Sequence, residues 1–247
     1  MNASPRTAKL IRLLSLLLLT ALLSSCGLPL LTETEADGMT YSLRGNGRVE
    51  QIEVRKENKT VGTYKQKGLK QEILAQIGVA DYGFRLTDLN FDGQADMQLM
   101  IAKAEGAQRY ASYLWDDRKG EYVYHAKLSA LQDIGMIASL QVITAREHSY
   151  VIDPATGDSP EFYTETDCFS LYRWIDGQLT EVHRKEKTYY EESDIYCYAV
   201  YELDENGKLD LIRESWIDAE KINHDKYPMD ATGFEGYVPQ AGNNGIE

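Results

Sequence analysis

Cysteine, proline and histidine are scarce in this chain of 247 residues, at 3, 6 and 4. Three thiols cannot build the dense disulfide framework of a small secreted scaffold. The four histidines, His125, His148, His183 and His224, are scattered among strand and turn residues, form no metal-binding group, and read as surface side chains. Basic charge is short as well, with 26 Lys and Arg against 39 Asp and Glu, a net charge of −13. A surface of that sign repels phosphate backbones and anionic headgroups, which argues against nucleic acid and for a cation or a basic protein as partner. Catalytic signatures are also missing. There is no His-Glu-x-x-His, no Gly-x-Ser-x-Gly and no phosphate-cradling glycine loop. The chain therefore reads as a non-enzymatic protein. The alternative is a solute-binding protein or an enzyme whose site assembles from distant strands, since such a site leaves no contiguous motif.

One long apolar run occurs, and it lies at the amino end. Arg6, Lys9 and Arg12 precede an uncharged stretch from Leu13 to Leu23, which ends at Ser24-Ser25-Cys26. That is the layout of a signal peptide, residues 1–25, and the run is shorter than the ~20 apolar residues of a permanent span. Leu-Ser-Ser-Cys resembles the bacterial lipobox, which implies cleavage before Cys26 and acylation of its thiol. Two or three acyl chains, palmitate among them, hold a protein firmly to a membrane. The expected address is the cell envelope, lipid-anchored and extracytoplasmic. Cleavage removes three basic side chains and no acidic one, leaving 23 basic against 39 acidic and a net charge of −16.

Residues 26–40 are polar and aperiodic and read as a lipidated tether, and residues 229–247, rich in Gly and Asn, as a flexible tail. Between them, 41–228 is long enough for one domain. Its pattern is mostly period two with Asn, Asp and Gly between short runs, the signature of an all-β protein of antiparallel hairpins. Four hairpins stand out. They are Val49 to Arg55 with Thr60 to Tyr64, Ala111 to Trp115 with Glu121 to His125, Leu171 to Ile175 with Leu179 to His183, and Tyr196 to Leu203 with Leu209 to Arg213. Hairpins at such spacing suggest a small propeller-like or sandwich-like β domain. Helix is scarce: Leu69 to Ile77 has a helical apolar face but also fits an edge strand, and Ser215 to Asn223 is a second weak helix. Cys168 and Cys197 both sit in strand-like stretches, so one disulfide across neighbouring strands and two buried free thiols are both open.

The stretch Asp88-Leu89-Asn90-Phe91-Asp92-Gly93-Gln94-Ala95-Asp96 puts oxygen side chains at loop positions one, three, five and nine, a glycine at six, and the Gln94 backbone carbonyl at seven. This is the ligand order of a calcium loop, in which alternate residues of a tight turn aim oxygens at one hard cation. Position twelve is Leu99, where an EF-hand requires Glu, and the flanks alternate apolar and polar. The loop therefore joins two strands. A plain solvated turn is the competing reading. Glu202 to Asp210 has similar spacing but reads as an ordinary Asn-Gly hairpin turn.

From about Gln71 to Lys187, the order of features resembles a family of small bacterial envelope proteins with a propeller-like β fold and a bound calcium. The matching signs are Asp88 to Gly93 with Asp96, Tyr113-Leu114-Trp115-Asp116, Glu121-Tyr122-Val123, Leu128 to Leu131, and Leu171-Tyr172-Arg173-Trp174 before Gly177-Gln178-Leu179. The family includes lipoproteins that act as immunity proteins, inhibiting peptidoglycan hydrolases delivered by a type IV secretion system. The resemblance implies Asp88, Asn90, Asp92, Gln94 and Asp96 as calcium ligands and a basic peptidoglycan hydrolase as partner. The segment from Thr188 onward has no counterpart in it.

Overall fold

The computed structural model describes residues 27–65, 82–104, 107–153 and 162–235. The signal peptide, Cys26 and the Leu69 to Ile77 stretch lie outside them. As the hairpin pattern requires, the described residues are all-β, with three antiparallel sheets and one short α-helix among them. None of the sheets closes into a barrel. Among the described residues no helix is long and apolar enough to cross a membrane.

The chain divides into two compact units, 1–70 and 71–247, where the sequence suggested one domain over 41–228. The first unit holds a meander of β1 (Leu30–Ala36), β2 (Met39–Arg44), β3 (Gln51–Lys56) and β4 (Lys59–Tyr64). Tyr41, Leu43, Ile52 and Val54 are fully buried on its two central strands. Part of the expected tether is thus ordered strand. Its Thr-Glu-Thr-Glu alternation is too polar for a central strand, but β1 is an edge, and an edge needs only one partner. Glu33 there takes the Arg55 guanidinium at 2.9 Å, and Arg55 also donates to Ser42 at 3.1 Å. Asp37-Gly38 and Glu57-Asn58 close the first and third hairpins with positive φ at both central residues, the turn whose twist matches that of paired strands.

The second unit contains two sheets. One is four-stranded, in the order β5 (Phe84–Thr87), β6 (Asp96–Ala104), β7 (Ala107–Asp116), β8 (Glu121–Tyr124). A short helix, α1 (Ala126–Ala130), follows, with His125 as its N-cap accepting the Leu128 amide on Nδ1 at 3.1 Å. The other is six-stranded, in the order β14-β13-β12-β11-β10-β9, built from β9 (Gly135–Ile137), β10 (Val142–Asp153), β11 (Phe162–Ile175), β12 (Gln178–Tyr190), β13 (Ile195–Leu203) and β14 (Leu209–Asp218). Leu89, Leu128, Leu131 and Ile134 meet Ile143, Ala145, Tyr172 and Leu179 of the larger sheet in one buried cluster. Each such aliphatic side chain contributes about 1.5–3 kcal/mol on burial. This is the sandwich-like arrangement.

Residues Ser215–Asp218, expected as the start of a helix, belong to β14, and only Ala219–Lys221 make a 3-10 turn. Pairing with β13 holds Ser215 to Asp218 extended, so the helix preference of the Ala-Glu-Lys run that follows is left only a single turn. Cys168 pairs laterally with Glu186 of β12, while Cys197 lies on β13 opposite Thr188 of β12. A whole strand therefore separates the two cysteines. Strands stand about 4.8 Å apart, so two strands put the pair beyond the ~7 Å Cα reach of a disulfide. Both are free thiols. Burial pushes the Cys168 thiol up to about 11, which keeps it protonated and unreactive.

The expected tail is also partly folded. Met229, Ala231 and Phe234 pack on Val142, Phe169, Leu171 and Val182, with Ala231 fully enclosed. The segment forms a strap over the larger sheet. Lys185, 3% exposed, donates to the carbonyls of Pro228 at 3.1 Å and Thr232 at 2.6 Å, and Arg146 donates to the Met229 carbonyl at 3.3 Å. Under the same strap lies His183, which is buried at 2% exposure and not on the surface as its neighbours in sequence suggested. The β-branched and charged residues around it gave no sign of the covering segment, which arrives some 50 residues later in the chain.

Neither ring nitrogen of His183 has a hydrogen-bond partner among the described residues; the closest acid is Glu202, at 3.8 Å from Nδ1. Burial, reinforced by Lys185, lowers its pKa from 6.5 to about 4. The unfolded chain takes up a proton here below pH 6.5 and the folded chain does not. Stability from this residue is therefore complete above about 6.5 and is lost as pH falls toward 4, by roughly 2–3 kcal/mol at most. Urea midpoints at neutral pH and near pH 4.5 should differ more in the native sequence than in His183→Gln; equal pH dependence in both proteins would show that His183 is not the responsible group.

Candidate metal site

Thr87 and Asp96 pair as the last rungs of β5 and β6, so residues 88–95 form the connection between two antiparallel strands. The strand-loop-strand arrangement expected from the flanking alternation is present. Two left-handed positions curl the loop, Phe91 with φ 60° and Gly93 with φ 87°. Glycine adopts that angle freely, which is the reason for its place at position six.

The curl gathers Asp88, Asn90 and Asp92 on one turn. Asp88 accepts the Asp92 amide on Oδ1 at 3.1 Å and the Gly93 amide on Oδ2 at 2.9 Å. Asn90 Oδ1 accepts the Asp92 amide at 3.2 Å, and its Nδ2 donates to Asp92 Oδ2 at 2.7 Å. Asp92 Oδ1 accepts the Gln94 amide at 2.8 Å. Carbonyl and carboxylate oxygens carry two lone pairs each, so these bonds shape the turn and leave acceptor capacity for a cation. Asp92, Gly93 and Gln94 are exposed, which leaves the turn open to solvent.

Asp96 stands apart from that group. It is fully buried, its Oδ2 accepting the Leu89 amide and its Oδ1 the Trp115 amide of β7, both at 2.8 Å. Burial raises its pKa to about 6 against the lowering effect of those two amides, and the charges of Asp92 and Asp88 push in the same direction as burial. Spacing alone does not distinguish a ligand from such a staple, because both require a carboxylate at the foot of the loop. Among the described residues no group of three or more His, Cys, Asp or Glu side chains is gathered so as to hold a metal ion. The oxygens the loop brings together are correspondingly mixed: two carboxylates, Asp88 and Asp92, with the Asn90 amide oxygen, and the Gln94 carbonyl is the further donor that the loop order would supply. Such an all-oxygen set fits the preferences of calcium, which tolerates six to eight oxygens in flexible geometry and keeps water readily.

Three further groups fix the loop against the core, and loop spacing gave no signal for any of them. Trp174 Nε1 of β11 donates to the Leu89 carbonyl at 2.9 Å, and the Tyr122 hydroxyl of β8 donates to the Ala95 carbonyl at 2.9 Å. The Trp115 ring meets Tyr122 edge to face at 5.0 Å. Leu89 lies in the buried cluster and Phe91 packs against it, while Asp92 of the same turn is exposed. The similar stretch at Glu202 to Asp210 is the β13–β14 hairpin turn: Asp204 Oδ1 accepts the amides of Asn206 at 2.9 Å and Lys208 at 2.7 Å, and Lys208 is paired with Asp210. The other histidines are not drawn together. His148 bonds Asp167 at 2.9 Å on the larger sheet, and His224 starts a 3-10 turn ahead of the strap.

No protein-family profile matches the chain, and no curated protein matches it. Its fold is similar to a solved structure described as that of a Xanthomonas type IV secretion system related protein, at 15% identity and a TM-score of 0.44, covering 74% of this chain and 86% of that one.

The staple makes Asp96→Ala costly, since it strands two buried amides at about 1–3 kcal/mol each. Asp96→Asn, which keeps one acceptor oxygen, should cost markedly less. Chemical denaturation of both variants tests this; an Asp96→Ala protein as stable as the native one would refute the role.

Proposed function

We propose that this chain is a non-enzymatic protein of the cell envelope, lipid-anchored through Cys26, whose loop 88–96 is stabilised by calcium and which binds and blocks a basic cell-wall hydrolase. The observation that carries the reading is the turn itself, with Asp88, Asn90 and Asp92 joined by hydrogen bonds and the Gln94 amide bonded to Asp92 on an open, doubly left-handed loop. Calcium there would be structural, neutralising Asp88 and Asp92 and relieving their repulsion of buried Asp96. The acidic balance of the chain supports the choice of partner, because complementary charge accelerates encounter with a basic enzyme.

Two measurements test it. Calcium should raise the melting temperature of chelator-treated protein by mass action on the folded state, and Asp92→Ala should abolish the gain; a melting temperature indifferent to both calcium and chelator removes calcium from the proposal. Mixed with a basic muramidase, the protein should slow lysis of peptidoglycan, and unchanged lysis across a panel of muramidases and peptidases would exclude the inhibitory role.

A further inference from the structure

One face of the six-stranded sheet carries aromatic rings that neither the core nor the calcium loop uses. Tyr150 of β10 lies opposite Glu165 of β11, Glu165 opposite Tyr189 of β12, and Tyr189 opposite Tyr196 of β13. These four residues cross four strands in one line, about 14 Å at the usual strand spacing. Tyr163, two residues from Glu165 on the same strand, stacks on Tyr150 at 4.8 Å and leans on Tyr189 at 5.9 Å. Tyr189 and Tyr196 touch at 4.8 Å, and His224, in the 3-10 turn that precedes the strap, closes the row against Tyr196. The rings pack on one another, and Tyr163, Tyr189 and Tyr196 are half-buried. Tyr150 is 53% exposed, and Ile152, opposite Tyr163 on the same face, is 54% exposed.

Acid surrounds the row. Glu165 stands within it, Asp194 accepts the Tyr189 hydroxyl at 2.9 Å, Glu191 accepts the Tyr163 amide at 3.1 Å, and Glu192 is exposed in the same 3-10 turn. The neighbouring ammonium, Lys187, is already paired with Asp167 at 3.1 Å, and His148 shares that carboxylate. Tyrosine offers large contact area at low conformational cost, which is why it concentrates in binding hot spots. A row of such rings interleaved with carboxylates suits lysine and arginine side chains, whose stems lie on the ring edges while their heads reach Glu165 and Asp194. A second copy of this chain would instead oppose like charges.

We propose that Tyr150, Tyr163, Tyr189 and Tyr196, with Glu165 among them, form the docking surface for a cationic protein. The proposal rests on the reading of the chain as a binder of basic proteins and assigns that role to one face of one sheet.

The test uses the purified protein, with hen egg-white lysozyme and cytochrome c as two basic probes, only the first of which cuts peptidoglycan. Glu165→Lys alters a half-buried position and Tyr150→Ala an exposed one, and melting curves establish whether each folds. Glu214→Lys, on the opposite face of the sheet, makes the same charge change as the first and serves as control. Glu165→Lys should weaken binding of a probe about tenfold or more and Tyr150→Ala several-fold, while Glu214→Lys should change it less than about twofold. Equal losses from the two lysine substitutions, unchanged affinity in both row variants, or binding of neither probe by the unaltered protein would each overturn the surface. Lysis is read separately. Native protein that binds through the row but leaves lysis intact upholds the surface and defeats the inhibitory reading, whereas inhibition unaffected by Glu165→Lys defeats the surface and leaves that reading standing.

Discussion

Asp96 accepts a main-chain amide on each carboxylate oxygen, one from Leu89 within its own loop and one from Trp115 on the neighbouring strand. A carboxylate with no exposure is costly to bury, and two short amide bonds are what make it tolerable. The return is positional. With Leu89 held by its amide and by the Trp174 indole on its carbonyl, its side chain enters the cluster that joins the two sheets of the second unit. The loop is therefore part of the core at one residue and open to solvent three residues later. Any cation drawn to Asp88 and Asp92 acts on the same hydrogen-bonded turn, so its binding free energy is coupled directly to the packing behind it.

The larger sheet solves a related problem at its other side. Lys185 sits beneath the strap with its ammonium on two main-chain carbonyls, while burial pulls its pKa below the ordinary lysine value and Asp230 opposes that change. His183, two residues away, stays neutral in the same enclosure. One polar group is thus accommodated by donating to carbonyls and the other by shedding its charge. Beyond the strap the strands continue into solvent, and there the face carries tyrosines, carboxylates and paired lysine in place of aliphatic core.

The hairpins were readable because their turns are chemically specific. Asn58, Asp176 and Gly177 hold the positive angles that those residue types permit, and β3, β4, β7, β8, β11, β12, β13 and β14 fall where the alternation places them. What escaped the sequence depends on partners distant along the chain. Polar β1 becomes a strand because an edge tolerates Thr and Glu when Arg55 is there to receive Glu33. Phe234 and Ala231 lie among tail-like glycines and aspartates yet find a hydrophobic seat on β11 and β12. Cys168 and Cys197 share strand-like surroundings, but strand order sets them one strand too far apart. At the loop, the residue types and the left-handed glycine were legible, whereas the division of labour between solvent-side Asp88 and Asp92 and core-side Asp96 required the position of β7.

The strap also bears on how the molecule reaches this state. Arg146 and the Met229 carbonyl are 83 residues apart, and Lys185 and Thr232 are 47 apart, so these contacts form only after the intervening strands have aligned. Closure of such distant segments carries a large entropic penalty before any contact rewards it. The hairpins, with their local turns, carry no such penalty. Phe169, Leu171 and the Lys185 ammonium all lie under this final segment, so the larger sheet owes the cover of an apolar face to the last described stretch of chain, and without it that face would be open to association with other chains.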